Sequence, residues 1–207
     1  TVLPEVLKTV PKMLADEKRW QHRASALHAL GAVAEGCLEL MRTVLDQIVA
    51  AVAPRLIDPH PRVRHAACNA VGQMALDFKR NDEFPDSLSF QTLFHSEIIP
   101  NLLKVTDDSV NCRVQAHGAA ALINFCEHAT ANVLAPYLDV MFTRLVTLLQ
   151  SPFVTVLEHA VTCIATIADT VGAGYQRYYP TLAPLLMHIL VTAQGPKYTL
   201  LKGKVLE

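Results

Sequence analysis

The chain has 207 residues, of which 51% are hydrophobic and 18% charged, so it carries enough apolar material for a continuous core and too little charge for a disordered chain. Its 18 basic and 19 acidic residues leave a net charge of −1, without the basic excess of a nucleic-acid binder. Five cysteines at wide spacing suit free thiols in a reducing compartment rather than a disulfide framework.

In chain order the apolar pattern predicts helix after helix and no strand. Val2 to Leu14 places Val6, Val10, Met13 and Leu14 on one stripe, and a second helix runs from about Trp20 to Cys37. A third covers about Leu40 to Leu56 and is broken by Asp58-Pro59-His60-Pro61, after which Arg62 to about Phe78 resumes. Residues 79–91 read as an insertion loop, with a charged run, Pro85 and a Ser-rich stretch. Helices follow over about Leu93 to Val105, with a kink expected at Pro100, and over Val110 to Glu127 after the capping run Thr106 to Ser109. The next pair spans Val133 to Leu149 and Phe153 to Val171, with Ser151-Pro152 as the expected start signal of the second. Gln176 to Val191 and a helix from near Tyr198 close the chain. No apolar run is expected to reach membrane-spanning length, and no signal peptide is visible.

Four of these helices are copies of one pattern. Those starting at Arg23, Arg64, Gln115 and Leu157 align with Ala29, Ala70, Ala121 and Cys163 at position seven, and with Leu30, Val71, Leu122 and Ile164 at position eight. A helix pair repeated every 40–50 residues or so is the signature of HEAT or armadillo arrays. The fold expected is therefore all-α: a right-handed α-solenoid of about five HEAT repeats, at about 1–38, 39–78, 88–128, 130–172 and 175–207, the last incomplete. Neither end carries a polar capping repeat, so a longer superhelix is expected around it.

Positions six, ten, thirteen and fourteen of the copied helix fall on the face opposite the apolar columns. They hold Asn69, Gln73, Asn124, Thr166, Glu35, Glu127, Asp169 and Asp77, with no Lys or Arg. Stacked on a concave wall, such amides and carboxylates suit an extended basic peptide: amides bond its backbone and carboxylates pair with its lysines. Other constellations point less far. His60, His65 and Cys68 lack a fourth metal ligand at fixed spacing, and Glu127-His128 and Glu158-His159 occupy different columns. No phosphate loop or catalytic triad pattern is present, so no cofactor, metal or enzymatic activity is expected. Arg62 and Arg64 are expected to bond turn carbonyls and acids between repeats, and Tyr175, Tyr178 and Tyr179 to pack over a groove between units.

Several strings resemble one family. DPHPRVRHAACNAVGQMALDF (Asp58 to Phe78), RVQAHGAAALINF (Arg113 to Phe125), AVAEGC (Ala32 to Cys37), APYLD (Ala135 to Asp139), ATIADT (Ala165 to Thr170) and LLKGK (Leu200 to Lys204) are similar to the importin-5-like branch of the importin-beta (karyopherin-beta) family. The resemblance covers nearly the whole chain. It implies a nuclear import receptor that shuttles between cytoplasm and nucleus, and this chain would be its central cargo-binding part. The implied partners are Lys-rich nuclear localisation signals on the B-helix wall, phenylalanine-glycine nucleoporins on the outside, and the GTPase Ran, the last mainly through repeats elsewhere. The cargo-binding positions implied are Glu35, Asn69, Asp77, Asn124, Glu127 and Asp169. The 79–91 insertion is longer than the family pattern. The rival readings are a HEAT scaffold subunit of a phosphatase or vesicle-coat assembly and, further off, a HEAT-fold glycosylase or hydroxylase.

Overall fold

The computed structural model describes residues 3–79 and 85–206, which form helices and turns without a strand among them. Each unit pairs an outer helix with an inner one. The inner helices are α2 (Trp20–Ala34), α5 (Pro61–Asp77), α7 (Cys112–Glu127), α10 (Val154–Val171) and α12 (Thr199–Leu206), and each packs on the next in a continuous row. The outer layer comprises α1 (Leu3–Leu14), α3 (Leu38–Arg42), α4 (Leu45–Val52), α6 (Phe90–Thr106), α8 (Ala131–Leu134), α9 (Leu138–Leu148) and α11 (Tyr179–Thr192). One continuous core lies between the two layers, and the expected all-α solenoid is the fold observed.

Small residues set the spacing of the inner row. Ala66, Ala67, Ala70 and Ala75 are buried along α5, so its backbone can approach both neighbours. At Gly72 a Cβ would stand 3.2 Å from Asn124 Nδ2 and 3.5 Å from Ala121 Cα, and at Gly118 it would stand 2.8 Å from Val105 Cγ1. The glycines therefore mark the closest helix approaches rather than turns.

Arginines at the first position of the repeat tie consecutive units together. Arg23 grips Asp58 with two 2.8 Å bonds and also donates to the carbonyls of Asp16 and Glu17. One unit on, Arg64 pairs with Asp108 and donates to the carbonyls of Asp58 and Pro59. The expected role of Arg64 is thus the one observed. In the third copy the position is Gln115, whose amide donates to Thr106 O at 2.9 Å. Arg62 departs from the expectation: its guanidinium lies over the Trp20 ring, 5.4 Å from the centroid.

Four sequence expectations need correction. The second outer helix is interrupted at Thr43–Val44, between α3 and α4, and gives way to a 3-10 turn at Ala53–Ile57, and the fourth is broken by a 3-10 turn at Ala135–Tyr137. Both turns hold a proline near their start, and proline supplies no N–H for the helical ladder. The helix after the insertion starts at Phe90, three residues early, because Ser89 is its N-cap and accepts from Thr92 N. Ser89, Phe90 and Gln91 are wholly buried, so the end of the predicted loop belongs to the core, while residues 80–84 lie outside the described set. Ser151-Pro152 precedes rather than starts α10: the helix begins at Val154, and Ser151 Oγ accepts from Phe153 N. Finally, Val154–Tyr175 is long and apolar enough to cross a membrane by composition, contrary to expectation. Its apolar column (Val156, Ala160, Val161, Cys163, Ile164, Ile167) is buried in the inner row between α7 and α12, which accounts for that apolarity within the solenoid.

Candidate functional site

The polar stripe of the inner helices follows from their packing. Positions seven, eight and eleven point into the core, so positions six, ten, thirteen and fourteen must look outward or into the seams between neighbours. On α5, Asn69 is exposed, and Gln73 donates to Asp77 Oδ1 at 2.8 Å, one turn along the same face. On α7, Asn124 Nδ2 reaches across to Gly72 O at 3.4 Å, and Glu127 stands exposed at the helix end. On α10, Thr170 donates across to Cys126 O at 3.1 Å, and Asp169 is exposed.

These bonds sort the stripe into two kinds of residue. Asn124 and Thr170 stitch the seams α5–α7 and α7–α10. Thr162 and Thr166 donate to the carbonyl one turn back, and the single Thr170 hydroxyl hydrogen is shared between Thr166 O and Cys126 O, so the Thr166 hydroxyl is left with acceptor capacity only. Asn69, Glu127 and Asp169 keep their polar groups in solvent. Glu127 and Asp169 have neither an ion pair nor a side-chain hydrogen bond among the described residues. The structure thus brings Asn69, Gln73, Asp77, Asn124, Glu127, Thr166 and Asp169 onto one run of three adjacent helices. The side chain of Glu35 lies outside the described residues.

The N-terminal halves of the same helices carry a different chemistry, which the column alignment did not reveal. His65 of α5 and His117 of α7 face each other with ring centroids 3.8 Å apart. Burial pushes the His65 pKa down, and the neighbouring charges of His117, His28 and Arg113 push it further the same way. His159 of α10 is likewise lowered by burial, then by Lys204 and His117. These histidines sit at positions two, three and three of the repeat, so their grouping becomes visible only once the helix register is known.

The remaining candidates resolve into packing. His60 stacks on Trp20 at 4.1 Å and nearly parallel, and Cys68 is buried, its thiol pushed up to about 12 by burial. Tyr178 stacks on Phe142 of α9 at 4.1 Å and its hydroxyl donates to Asp139, while Tyr175 packs on the same ring, so these two pack between units; Tyr179, 59% exposed, meets Tyr175 edge-on and does not join them.

Comparison with known proteins agrees with this architecture. Residues 20–74 match the family model for a HEAT-like repeat. Importin subunit beta-3 of Saccharomyces cerevisiae is 39% identical over 188 residues, which is 91% of this chain and 16% of that protein. Human transportin-1 is 28% identical over 98% of this chain and 21% of its own length. Among solved structures, the karyopherin Kap121p bound to Nup53p superposes with a TM-score of 0.85 at 37% identity, over 97% of this chain and 18% of that one. The same receptor bound to Pho4p matches equally well. The chain spans about a sixth to a fifth of the length of such relatives. On sequence and fold together, the chain belongs to the importin-beta (karyopherin-beta) family.

Proposed function

We propose that this chain is a cargo-binding segment of an importin-5-like nuclear import receptor, and that its inner-helix stripe holds Lys-rich localisation signals. The observation that supports the reading most is the pair of solvent-facing carboxylates without a cation, Glu127 and Asp169, one helix apart at the same position of the repeat. An extended peptide crossing α5, α7 and α10 meets an amide or acid at each step. Lysines would pair with Glu127, Asp169 and Asp77, and the free acceptor oxygens of Gln73 and Asn124 would take backbone N–H groups. Glu127 and Asp169 are exposed, so each such pair is worth about 1 kcal/mol or less. That relatives include a karyopherin solved with Pho4p and with Nup53p is in keeping with cargo and nucleoporin partners for the whole receptor. Ran, phenylalanine-glycine nucleoporins and shuttling between cytoplasm and nucleus belong to the same proposal.

The test is a titration of a fluorescent Lys-rich peptide into the chain and into its Glu127→Lys, Asp169→Lys variant. Both sites are exposed, so the changes spare the core. Two partly screened contacts of about 1 kcal/mol each, reversed in sign, lower the affinity at least tenfold. Equal affinity of the two forms, or binding that ignores ionic strength, defeats the reading.

A further inference from the structure

Arg19, Arg23, Arg55, Arg64, Arg144 and Arg177 each reach an aspartate within 3.5 Å. Arg62 and Arg113 do not pair with any carboxylate among the described residues. Both line one cavity of about 840 Å³ between the N-terminal ends of α2, α5 and α7. His28 and His65 line it too, and no Asp or Glu does. In a chain of net charge −1, two arginines without a carboxylate have converged on one opening.

The cavity also has apolar surface. Trp20, in contact with the His60 ring and the Arg62 guanidinium, forms one wall. Val110 lines the same opening and is 89% exposed, so an apolar side chain is available there. A volume of this size accommodates several side chains rather than one small ion.

We infer that this pocket binds a short acidic peptide segment, its carboxylates on Arg62 and Arg113 and an apolar side chain between Trp20 and Val110. Guanidinium takes carboxylate in two parallel hydrogen bonds, which suits a pair of arginines facing one opening. The same inner wall argues against a long polyanion. Further along α7 and α10 it turns acidic at Glu127 and Asp169, and a nucleic-acid strand would be repelled where a short peptide would already have ended. The inference stands independently of the basic-peptide proposal, which concerns the opposite ends of these helices.

Trp20 is the sole tryptophan of the chain, so its fluorescence reports on this pocket alone. The experiment titrates the whole chain with a short peptide of Asp and Glu around two leucines, with its Asn and Gln counterpart, and with a single-stranded oligonucleotide of equal charge. The acidic peptide is expected to change the Trp20 emission and to bind about tenfold tighter than the amide peptide, the difference shrinking with added salt. The Arg62→Gln, Arg113→Gln variant should lose that tenfold preference, whereas Glu127→Gln, Asp169→Asn should keep it. Because Arg62 contacts Trp20, Arg113→Gln alone, an exposed change, provides a second reading if the double variant melts early. Equal binding of acidic and amide peptides, or an unchanged preference in both arginine variants, overturns the proposal. Tighter binding of the oligonucleotide overturns it as well and assigns the pocket to nucleic acid.

Discussion

Replacing Asp58 by asparagine removes one negative charge from the joint between the first two helix pairs and changes almost no volume. Asp58 is 3% exposed and its partner Arg23 is 4% exposed, and they share two 2.8 Å hydrogen bonds. The introduced amide oxygen could still accept one of them, but Arg23 would remain a buried cation whose bonded counter-charge is gone, with only the charges of Asp16 and Glu17 acting on it. Removing one member of a buried ion pair costs about 3–5 kcal/mol. Arg23 keeps its bonds to the carbonyls of Asp16 and Glu17, so the lower part of that range is expected. In a solenoid the stability is a sum of units and nearest-neighbour interfaces, so the loss falls on the α2–α5 interface rather than on the whole chain. For a chain of this size a loss of about 3 kcal/mol lowers the melting temperature by about 6–12 °C. Hydrogen exchange should localise the effect: amides of α1 and α2 lose protection, while those of α7 and α10 hold theirs. Replacing both partners, Arg23→Met with Asp58→Leu, should recover part of the loss, since the buried Arg23 charge is removed as well, and the recovery stays partial because Arg55 and the His60 N–H lose the same carboxylate. If Asp58→Asn melts within about 1 °C of the parent and α2 exchanges at the parent rate, the arginine ladder does not hold the units together. Acid provides an independent check. Burial pushes the Asp58 carboxyl up, but the bonds from Arg23 and the His60 amide, with the charges of Arg23 and Arg55, outweigh it and hold the pKa below the ordinary value. A carboxyl lowered on folding stabilises fully above its unfolded value and loses that contribution as pH falls through the folded one. The gap between the parent and Asp58→Asn should therefore be widest near neutrality and close below about pH 4.

Two further predictions concern the inner layer. Gly118→Ala would place a Cβ 2.8 Å from Val105 Cγ1, and overpacking of this kind costs about 1–3 kcal/mol, more than the roughly 1 kcal/mol that Ala gains over Gly in a helix. Urea unfolding should show the single variant less stable than the parent and Val105→Ala restoring part of the difference; a single variant as stable as the parent refutes the close approach. The thiols should divide by burial. Cys68 is buried with its thiol near 12, and Cys126 is raised by burial and by its neighbour Cys163, whereas Cys37 and Cys112 are half-buried. Mass mapping after alkylation at about pH 8 should find Cys37 and Cys112 modified in the native protein and Cys68, Cys126 and Cys163 only after unfolding; early labelling of Cys68 contradicts the packing of α5.

The copied helix was legible because a solenoid writes its core once per unit. Ala29, Ala70, Ala121 and Cys163 occupy the same packing environment four times, so the period fixes both the fold and the face left for solvent. The polar columns at Asn69, Gln73, Asn124, Glu127 and Asp169 followed from the same arithmetic. What the columns could not divide is which of these residues serve the helix seams and which face outward. Asn124 and Thr170 bond a neighbouring backbone only because Gly72 and the small residues around it let the helices approach. That distance is a property of two helices together, and no single copy records it. The outer layer was less legible for the opposite reason: its helices have only one side to cover, so Pro54 and Pro136 can break them at little cost in packing. Ser89, Phe90 and Gln91 read as loop because they continue the Ser-rich stretch after Pro85, yet Phe90 is a core residue and Gln91 is buried with a bond to Ala75 O made across the turn. The basic pocket escaped for a related reason. Arg62 and Arg113 share one repeat position, two residues ahead of the aligned stretch, whereas Trp20 and His65 hold others, and only the packing of three helices gathers them. A repeat alignment finds functions that recur at one position in every unit. A further sign to look for is a charge without an ion pair among the described residues that faces a like charge on the next helix, and Arg62 and Arg113 at one end of the inner wall and Glu127 and Asp169 at the other both show it.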